Sequence, residues 1–203
     1  MYKKFFKRPF DIIIAGGALV FLSPILIIIS LLVLKYHGRP VLFSQKRPGE
    51  DEKIFSMYKF RTMNNDTDEE GNLLPDDARL TRFGRTLRAT SLDELPELIN
   101  IVKGDMSLVG PRPLLIEYLP YYKNEEKLRH SIRPGLTGLA QINGRNLSSW
   151  NDRLDNDVKY VKNISFLNDI KIILSTIRKV IFKEDIVVGK DHIMKKLHEE
   201  RSM

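Results

Sequence analysis

The chain has 203 residues, a formal net charge of +7 and no cysteine. That length suffices for one well-buried core with a small appendage, and the lack of cysteine excludes disulfides and cysteine-based zinc sites. The four histidines show no metal-ligand spacing. The positive charge predicts an anionic partner, which is a phosphorylated ligand, a nucleic acid or an anionic lipid.

The first predicted element is an apolar helix that contains a break. Residues 12–34 carry no charge, and a straight helix of that length would span roughly 34 Å, enough to cross a bilayer core. Ser23 and Pro24 interrupt the run near its middle, where a proline kinks a helix. Basic residues flank both ends, so both ends prefer the cytoplasm. The pattern is compatible with a kinked span and with a re-entrant helix that enters, bends at Ser23 and Pro24, and returns.

A β-hairpin is predicted next, in residues 41–63. Two β-prone runs flank the turn cluster PGED. Phe55, Met57, Lys59 and Arg61 alternate along the second run and therefore share one face of the strand. The two cations on that face either meet a phosphate or belong to an ordinary hydrated surface.

An acidic segment and a basic segment follow the hairpin. Residues 64–78 are acidic and rich in turn formers, which predicts a mobile surface loop. Residues 79–88 carry an arginine at every third position and end with Arg88. These arginines form either a solvated helix face or a contact for lipid headgroups or a substrate phosphate.

The stretch SLDELPEL places two adjacent acids, Asp93 and Glu94, in this basic surrounding. Pro96 predicts a helix that begins near Asp93 and ends at Gly104. Asp93 would then lie near the N-cap, where the helix dipole favours its ionised form and also attracts phosphate. Such a carboxylate is either a plain helix cap or a nucleophile at phosphorus, with Glu94 holding a divalent cation.

Two further turn-rich segments end or centre on arginines. Pro111 and Pro113 flank Arg112, so a rigid loop holds one guanidinium, which suits bidentate recognition of phosphate but also fits an ordinary turn. Residues 133–145, RPGLTGLAQINGR, end in Arg145 and match neither the Walker nor the dinucleotide-binding pattern.

The last predicted helix covers residues 164–182. Phe166, Ile170, Ile173, Ile177 and Ile181 recur at helical spacing. Packing on the core is the simpler interpretation, and lying in the membrane interface is the alternative. The terminal residues KDHIMKKLHEERSM are expected to fray.

Taken together, four segments resemble the bacterial sugar transferase family, the small monotopic phosphoglycosyl transferases. The segments are KRPFD with the apolar run behind it, KFRTM, TSLDELPELINIVKGDMSLVGPRP and RPGLTGLAQINGR. They occur in the order typical of the family and cover nearly the whole chain. Within the family, the chain most resembles the diacetylbacillosamine-phosphate transferases of bacterial N-glycosylation.

The resemblance implies transfer of a sugar 1-phosphate from a UDP-sugar, with UDP-diacetylbacillosamine as the expected donor, to undecaprenyl phosphate and release of UMP. It implies that Asp93 attacks the sugar-bearing phosphate to form an aspartyl-phosphosugar intermediate, and that Asp93 and Glu94 bind Mg²⁺. The substrate-binding residues that it implies are Lys59, Arg88, Arg112, Arg145 and Asp157.

The expected fold is α+β and mainly α-helical, with a re-entrant membrane helix-break-helix, a small β-hairpin and amphipathic interfacial helices. Residues 1–40 would form the membrane anchor, 41–185 a catalytic domain and 186–203 a tail. The expected location is the cytoplasmic face of the bacterial inner membrane, with membrane lipid and downstream glycosyltransferases as partners. The alternative is a non-catalytic scaffold that binds anionic lipid. A nucleic-acid partner is not expected, because no binding module is recognisable.

Overall fold

A computed structural model describes residues 1–144, 149–182 and 196–201 of the chain. The described part is mainly α-helical and contains two two-stranded β-sheets, as the sequence predicts. The helices are α1 Lys7–Phe21, α2 Ser23–His37, α3 Asp76–Arg79, α4 Arg82–Ala89, α5 Glu97–Lys103, α6 Leu139–Ile142, α7 Trp150–Lys162, α8 Phe166–Ile181 and α9 Leu197–Arg201. The strands are β1 Leu42–Pro48, β2 Ile54–Phe60, β3 Ser107–Val109 and β4 Gly135–Thr137.

The apolar N-terminal run is broken where the sequence predicts. Helices α1 and α2 meet at Leu22, and the segment Tyr2–Phe21 is bent by 63° against α2. Ser23 lies at the break and donates a hydrogen bond from Oγ to the carbonyl oxygen of Val20, at 2.7 Å. In the described residues no single helix is long and apolar enough to cross a membrane, but this bent pair passes that test of length and composition as a unit.

A buried cluster of polar side chains attaches α1 to the rest of the protein. We call it the N-terminal polar cluster; its members are Tyr2, Lys7, Asp11, Ser107, Tyr160 and Asp169. Asp169 accepts hydrogen bonds from Lys7, Tyr2 and Tyr160 at 2.7, 2.8 and 2.7 Å. Asp11 accepts from the Ser107 hydroxyl at 2.6 Å and from the Leu108 amide at 3.2 Å. Both oxygens of each carboxylate thus have a donor.

Arg8 attaches α1 to the end of α5. Its guanidinium donates to the carbonyl oxygens of Ile101 and Val102, at 2.7 and 3.1 Å. These carbonyls belong to the last turn of α5, where a cation offsets the negative end of the helix dipole. The KRPFD segment therefore has a structural role that accounts for its two cations and its acid.

The predicted β-hairpin is present. Strands β1 and β2 pair antiparallel, with Phe43 opposite Lys59. Phe55 and Met57 are buried in the main core, which α1, α5 and α8 also help to build. The interpretation of this strand face as an ordinary hydrated surface is therefore wrong, because its inward residues pack against helices. Arg61 is also buried and donates to the carbonyl oxygens of Arg39 and Met63.

At two places, glycines allow backbone segments that are distant in the sequence to come into close contact. Gly84 in α4 lies against Thr62, and a Cβ at position 84 would overlap the Thr62 carbonyl. Gly110 and Gly135 are similarly close, because β3 and β4 pair in parallel. The two turn-rich segments around Arg112 and residues 133–144 therefore form one structural unit.

Helix α8 presents a different buried face from the predicted one. Asp169 and Ile172 are buried, whereas Phe166, Ile177 and Ile181 are exposed. Asp169 is buried because its carboxylate accepts hydrogen bonds within the N-terminal polar cluster. A pattern of hydrophobic residues does not reveal such hydrogen-bond partners. Exposed Leu167 and Leu174 extend the apolar surface of α8.

The C-terminal segment is ordered where the structure describes it, so the expected fraying is wrong for residues 196–201. Leu197 is fully buried beside Tyr118 and Trp150. Arg201 forms a bidentate ion pair with Glu126, with N–O distances of 2.6 and 2.7 Å.

Candidate active site

The predicted acid pair lies in a short 3₁₀ turn, Leu92–Glu94, between α4 and α5. Ser91 takes a left-handed conformation, φ 55°, and reverses the chain after α4. Pro96 is the N-cap of α5, so the predicted helix start near Asp93 is wrong by about one turn, whereas its end at Gly104 is confirmed. Asp93 and Glu94 are therefore held by a tight turn and do not cap an α-helix.

Asp93 is buried, with only 8% of its surface exposed. None of the described residues donates a hydrogen bond to its carboxylate. Burial, then the charge of Glu94, raises the pKa of Asp93 to about 6, although Lys59, Arg88 and Arg112 oppose the rise. The expectation that a helix N-terminus favours the ionised form is thus wrong in direction, because desolvation dominates.

Glu94, the next residue, has the opposite environment. Its Oε1 accepts a hydrogen bond from Lys59 Nζ at 2.6 Å, and Arg112 binds both carboxylate oxygens. Burial alone would raise the pKa of Glu94, but the charges and hydrogen bonds of Arg112 and Lys59 outweigh it and lower the pKa. Two adjacent acids with pKa values moved in opposite directions are typical of a site that needs two different roles.

Three of the predicted cations, Lys59, Arg88 and Arg112, lie around this pair. Arg88 is exposed at the end of α4 and donates from Nε to the Thr62 hydroxyl at 3.1 Å. Lys59 on β2 and Arg112 after β3 reach Glu94 from two other sides. Three separate elements thus bring Lys59, Arg88 and Arg112 to the acid pair, as the sequence-based assignment requires.

These side chains line one large cleft with a volume of about 1540 Å³. Its polar part contains Lys59, Arg88, Asp93, Glu94 and Arg112. The same cleft continues along an apolar wall formed by Ile14, Leu136, Ala140, Ile173 and Ile177. The lining thus offers cations for a ligand with several negative charges and apolar side chains for a hydrophobic portion of that ligand.

A comparison with known proteins decides the family. The sequence profile described as "Bacterial sugar transferase" matches residues 2–183. The chain belongs to the bacterial sugar transferase family. It is therefore a transferase, an enzyme, and the family membership disfavours the scaffold alternative.

Three similar proteins illustrate the range of the family. The transferase is 51% identical over 180 residues to the "Uncharacterized sugar transferase EpsL" of Bacillus subtilis, covering 89% of each chain. It is 40% identical to the "UDP-glucose:undecaprenyl-phosphate glucose-1-phosphate transferase" of Klebsiella pneumoniae, with 86% of this chain and 40% of the relative covered. It is 38% identical to the "Undecaprenyl-phosphate galactose phosphotransferase" of Salmonella typhimurium, with 90% and 41% covered. The transferase thus spans about two-fifths of the latter two relatives.

Asp157, predicted to bind substrate, lies in α7 at the edge of the cleft and is itself buried. Its Oδ2 accepts two hydrogen bonds from Arg129, at 3.1 and 3.0 Å. Arg129 also donates to the backbone carbonyl of Arg112 and to the Tyr122 hydroxyl. In this structure Asp157 therefore supports the Arg112 loop through Arg129, and its direct contact with substrate stays a prediction.

Arg145, also predicted to bind substrate, lies outside the described residues of the transferase. Sequence analysis missed Glu97, Arg47 and Arg129, which are at or beside the cleft. Glu97 had a signal, because it follows Glu94 by three residues and so lies within one helical turn of it. Arg129 had none, because its partners Asp157 and Arg112 are distant in the sequence. Arg47 had none either, because it donates a hydrogen bond to the neutral Gln45 and its place on the cleft wall depends on the fold.

One carboxylate of the transferase is suited to bind the predicted Mg²⁺. Mg²⁺ usually binds through one or two carboxylates together with substrate phosphates and water. Within residues 1–144, 149–182 and 196–201, no three His, Asp or Glu side chains cluster as a metal site. The Asp93 carboxylate, which lacks a hydrogen-bond donor among the described residues, fits a metal ligand. Glu94 is less available as a metal ligand, because its carboxylate already accepts hydrogen bonds from Lys59 and Arg112.

Proposed function

We propose that the protein transfers a sugar 1-phosphate from a UDP-sugar to undecaprenyl phosphate and releases UMP. One observation carries the proposal: a buried carboxylate, Asp93, faces a cleft, has no hydrogen-bond donor among the described residues, and is surrounded by Lys59, Arg88 and Arg112. A nucleophile at a dianionic diphosphate needs an unblocked lone pair and cations that reduce repulsion. The names of the Klebsiella and Salmonella relatives support the same reaction class.

In the proposed first step, an Asp93 carboxylate oxygen attacks the phosphorus that bears the sugar. An oxygen–phosphorus bond forms to Asp93 while the bond from that phosphorus to the bridging oxygen of UMP breaks. UMP leaves with the electron pair, and an aspartyl-phosphosugar remains. Because the pKa of Asp93 is about 6, most of the carboxyl is ionised at pH 7 and no base is required.

In the proposed second step, a phosphate oxygen of undecaprenyl phosphate attacks the same phosphorus. The new oxygen–phosphorus bond replaces the bond to Asp93, which returns to its carboxylate form. The product is the undecaprenyl diphosphosugar. A covalent intermediate allows one cleft to treat a water-soluble donor and a lipid acceptor in turn.

The basic residues have distinct parts in this scheme. Arg112, whose guanidinium binds both oxygens of Glu94, would donate its remaining N–H groups to phosphate oxygens. Arg88, at the end of α4, would donate to phosphate oxygens from another part of the cleft lining. Mg²⁺, held by Asp93 and Glu94 together with phosphate oxygens, would offset charge on the phosphates. Asp157 and Arg145 complete the proposed substrate-binding set.

The proposed setting is the cytoplasmic face of the bacterial inner membrane. The bent helix pair exposes Ile13, Val20, Phe21, Ile27 and Leu31, which supports insertion from one side with return at Ser23 and Pro24. The exposed apolar residues of α8 support a position in the interface. Downstream glycosyltransferases would use the product.

The topology can be tested because the chain lacks cysteine. Single cysteines replace Lys4 and Lys46, which are both exposed and which precede and follow the apolar helix pair in the sequence. In inverted and right-side-out vesicles, a membrane-impermeant maleimide should label both positions from the same, cytoplasmic side. Labelling from opposite sides would establish a true span.

The central test is Asp93→Asn, with Asp155→Asn as the control for an exposed acid outside the site. With UDP-sugar alone, the wild-type protein should release one UMP per chain and gain the mass of a sugar phosphate on the peptide that contains Asp93. Asp93→Asn should lose at least about 10³-fold in turnover, and Asp155→Asn should lose nothing. Normal turnover by Asp93→Asn would remove Asp93 as the nucleophile.

The donor sugar is the finer part of the proposal. UDP-diacetylbacillosamine is the first candidate because of the subgroup that the sequence resembles, whereas the named relatives use glucose and galactose. UMP release should be measured across UDP-diacetylbacillosamine, UDP-N-acetylglucosamine, UDP-glucose and UDP-galactose. The donor with the highest kcat/KM identifies the sugar, and a preference for glucose or galactose would replace the first candidate.

A further inference from the structure

Glu97 is a buried acid beside the site that the proposed reaction does not use. It is the first residue of α5 and only 1% exposed. Its Oε1 is buried and has no aligned hydrogen bond in the described structure. Lys59 Nζ lies 3.2 Å from that oxygen and forms an ion pair with it. A buried carboxylate oxygen in contact with a single ammonium needs an explanation.

The geometry places Lys59 between two carboxylates. Its Nζ is 2.6 Å from Glu94 on the cleft side and 3.2 Å from Glu97 behind it. The Glu94 side chain is 19% exposed and the Glu97 side chain 2%, so Glu97 forms the rear of the site. A lysine is a flexible point charge with many rotamers, and a second contact reduces the number of positions that its ammonium can take.

We propose that Glu97 is a positioning residue, which holds the Lys59 ammonium against Glu94 and thereby toward the phosphate in the cleft. It acts by placing an acceptor oxygen within contact distance of the Lys59 ammonium, and its negative charge is not required. The inference deepens the proposed function and rests on it.

The geometry supports a role for the oxygen. The contact needs only an acceptor oxygen 3.2 Å from the Lys59 ammonium, and a neutral side chain of the same length also offers one. The pKa agrees with this role, because burial, then the charge of Glu94, raises the pKa of Glu97 to about 7.

The test compares two substitutions of nearly equal size. Glu97→Gln keeps an acceptor oxygen without the charge, and Glu97→Met keeps the length without an acceptor. Glu97→Gln should retain UMP release within about threefold of wild type, whereas Glu97→Met should lose about 10- to 100-fold in kcat, the loss expected from a misplaced group. Equal loss in both, or none in Glu97→Met, would overturn the inference.

A double-substitution cycle separates positioning from a general effect on structure. If Glu97 acts through Lys59, then Glu97→Met should cause no further loss in a Lys59→Met background, because the residue that it positions is already absent. Additive losses would mean that Glu97 acts by another route. Circular dichroism and the melting temperature of each variant verify that it is folded.

Acylation of Lys59 gives a readout that does not depend on turnover. In limiting acetic anhydride, the modified fraction of Lys59 is measured by peptide mass spectrometry, with exposed Lys171 as the internal control. Lys59 should react several-fold faster in Glu97→Met than in wild type, and at the wild-type rate in Glu97→Gln. Unchanged reactivity in Glu97→Met would contradict the inference even if no UDP-sugar were turned over, whereas absence of wild-type UMP release would contradict only the proposed function.

Discussion

The N-terminal polar cluster and the cleft around Asp93 both place carboxylates beside basic side chains, but they differ in how fully these carboxylates are paired. In the cluster, both oxygens of Asp11 and both of Asp169 accept hydrogen bonds from described donors. In the cleft, Glu94 is paired by Lys59 and Arg112, whereas Asp93 receives no hydrogen bond from the described residues. Full pairing attaches a helix to the core, and incomplete pairing leaves an acid able to react.

The difference between the two regions is energetic as well as chemical. Burying a charge is unfavourable unless partners compensate it, so the N-terminal polar cluster contributes to stability only while it remains complete. Asp93 has no hydrogen-bond partner among the described residues, so its ionised form lowers the stability of the folded state. The same lack of a partner leaves a lone pair of the carboxylate available to react.

Asp169→Asn should destabilise the protein strongly and leave its chemistry intact. The substitution removes the charge that Lys7 faces at 2.7 Å in a buried site, and breaking such a pair costs about 3–5 kcal/mol. Denaturant unfolding in detergent micelles or nanodiscs measures the loss. The folded fraction should keep a normal kcat for UMP release; a loss of kcat without a loss of stability would place Asp169 in the catalytic machinery.

Asp93→Asn should have the opposite effect on stability. Because folding raises the pKa of Asp93 from 3.8 to about 6, its ionised form is disfavoured in the folded state at pH 7. The neutral amide should therefore increase the free energy of unfolding by about 1–3 kcal/mol.

The pH dependence of that gain identifies its source. As the pH falls through 6 toward 4, the folded wild-type protein takes up a proton and its penalty disappears. The stabilities of wild type and Asp93→Asn should then converge below about pH 4. A gain that persists unchanged at low pH would arise from packing and not from charge.

The pH dependence of UMP release is the smallest of the expected effects. Asp93 must be ionised to attack, so kcat/KM for the half-reaction without acceptor should fall about tenfold per pH unit below pH 6. The same acid limb should appear in Glu97→Gln, which removes the neighbouring carboxyl with a pKa of about 7. A flat profile between pH 6 and 5 would contradict the high pKa of Asp93.

The local elements follow from the amino-acid sequence. Proline and serine predicted the break between α1 and α2, alternation predicted the hairpin, and Gly104 marked the end of α5. It also placed Lys59, Asp93 and Arg112 among the site residues, through motifs that occur in family order. These features depend on neighbours along the chain, and such information is local.

Which charges are paired and which are left unpaired depends on contacts between elements that are distant in the sequence. Nothing local distinguishes Asp93 from Glu94, yet the pKa of Asp93 is raised and that of Glu94 is lowered. The cause is that Lys59 and Arg112, which are 35 and 18 residues away from Glu94, both bind it. The buried face of α8 and the support of Arg112 by Asp157 through Arg129 have the same origin. The strength of a charge depends on its solvent exposure and on partners in space, and the folded chain alone sets both.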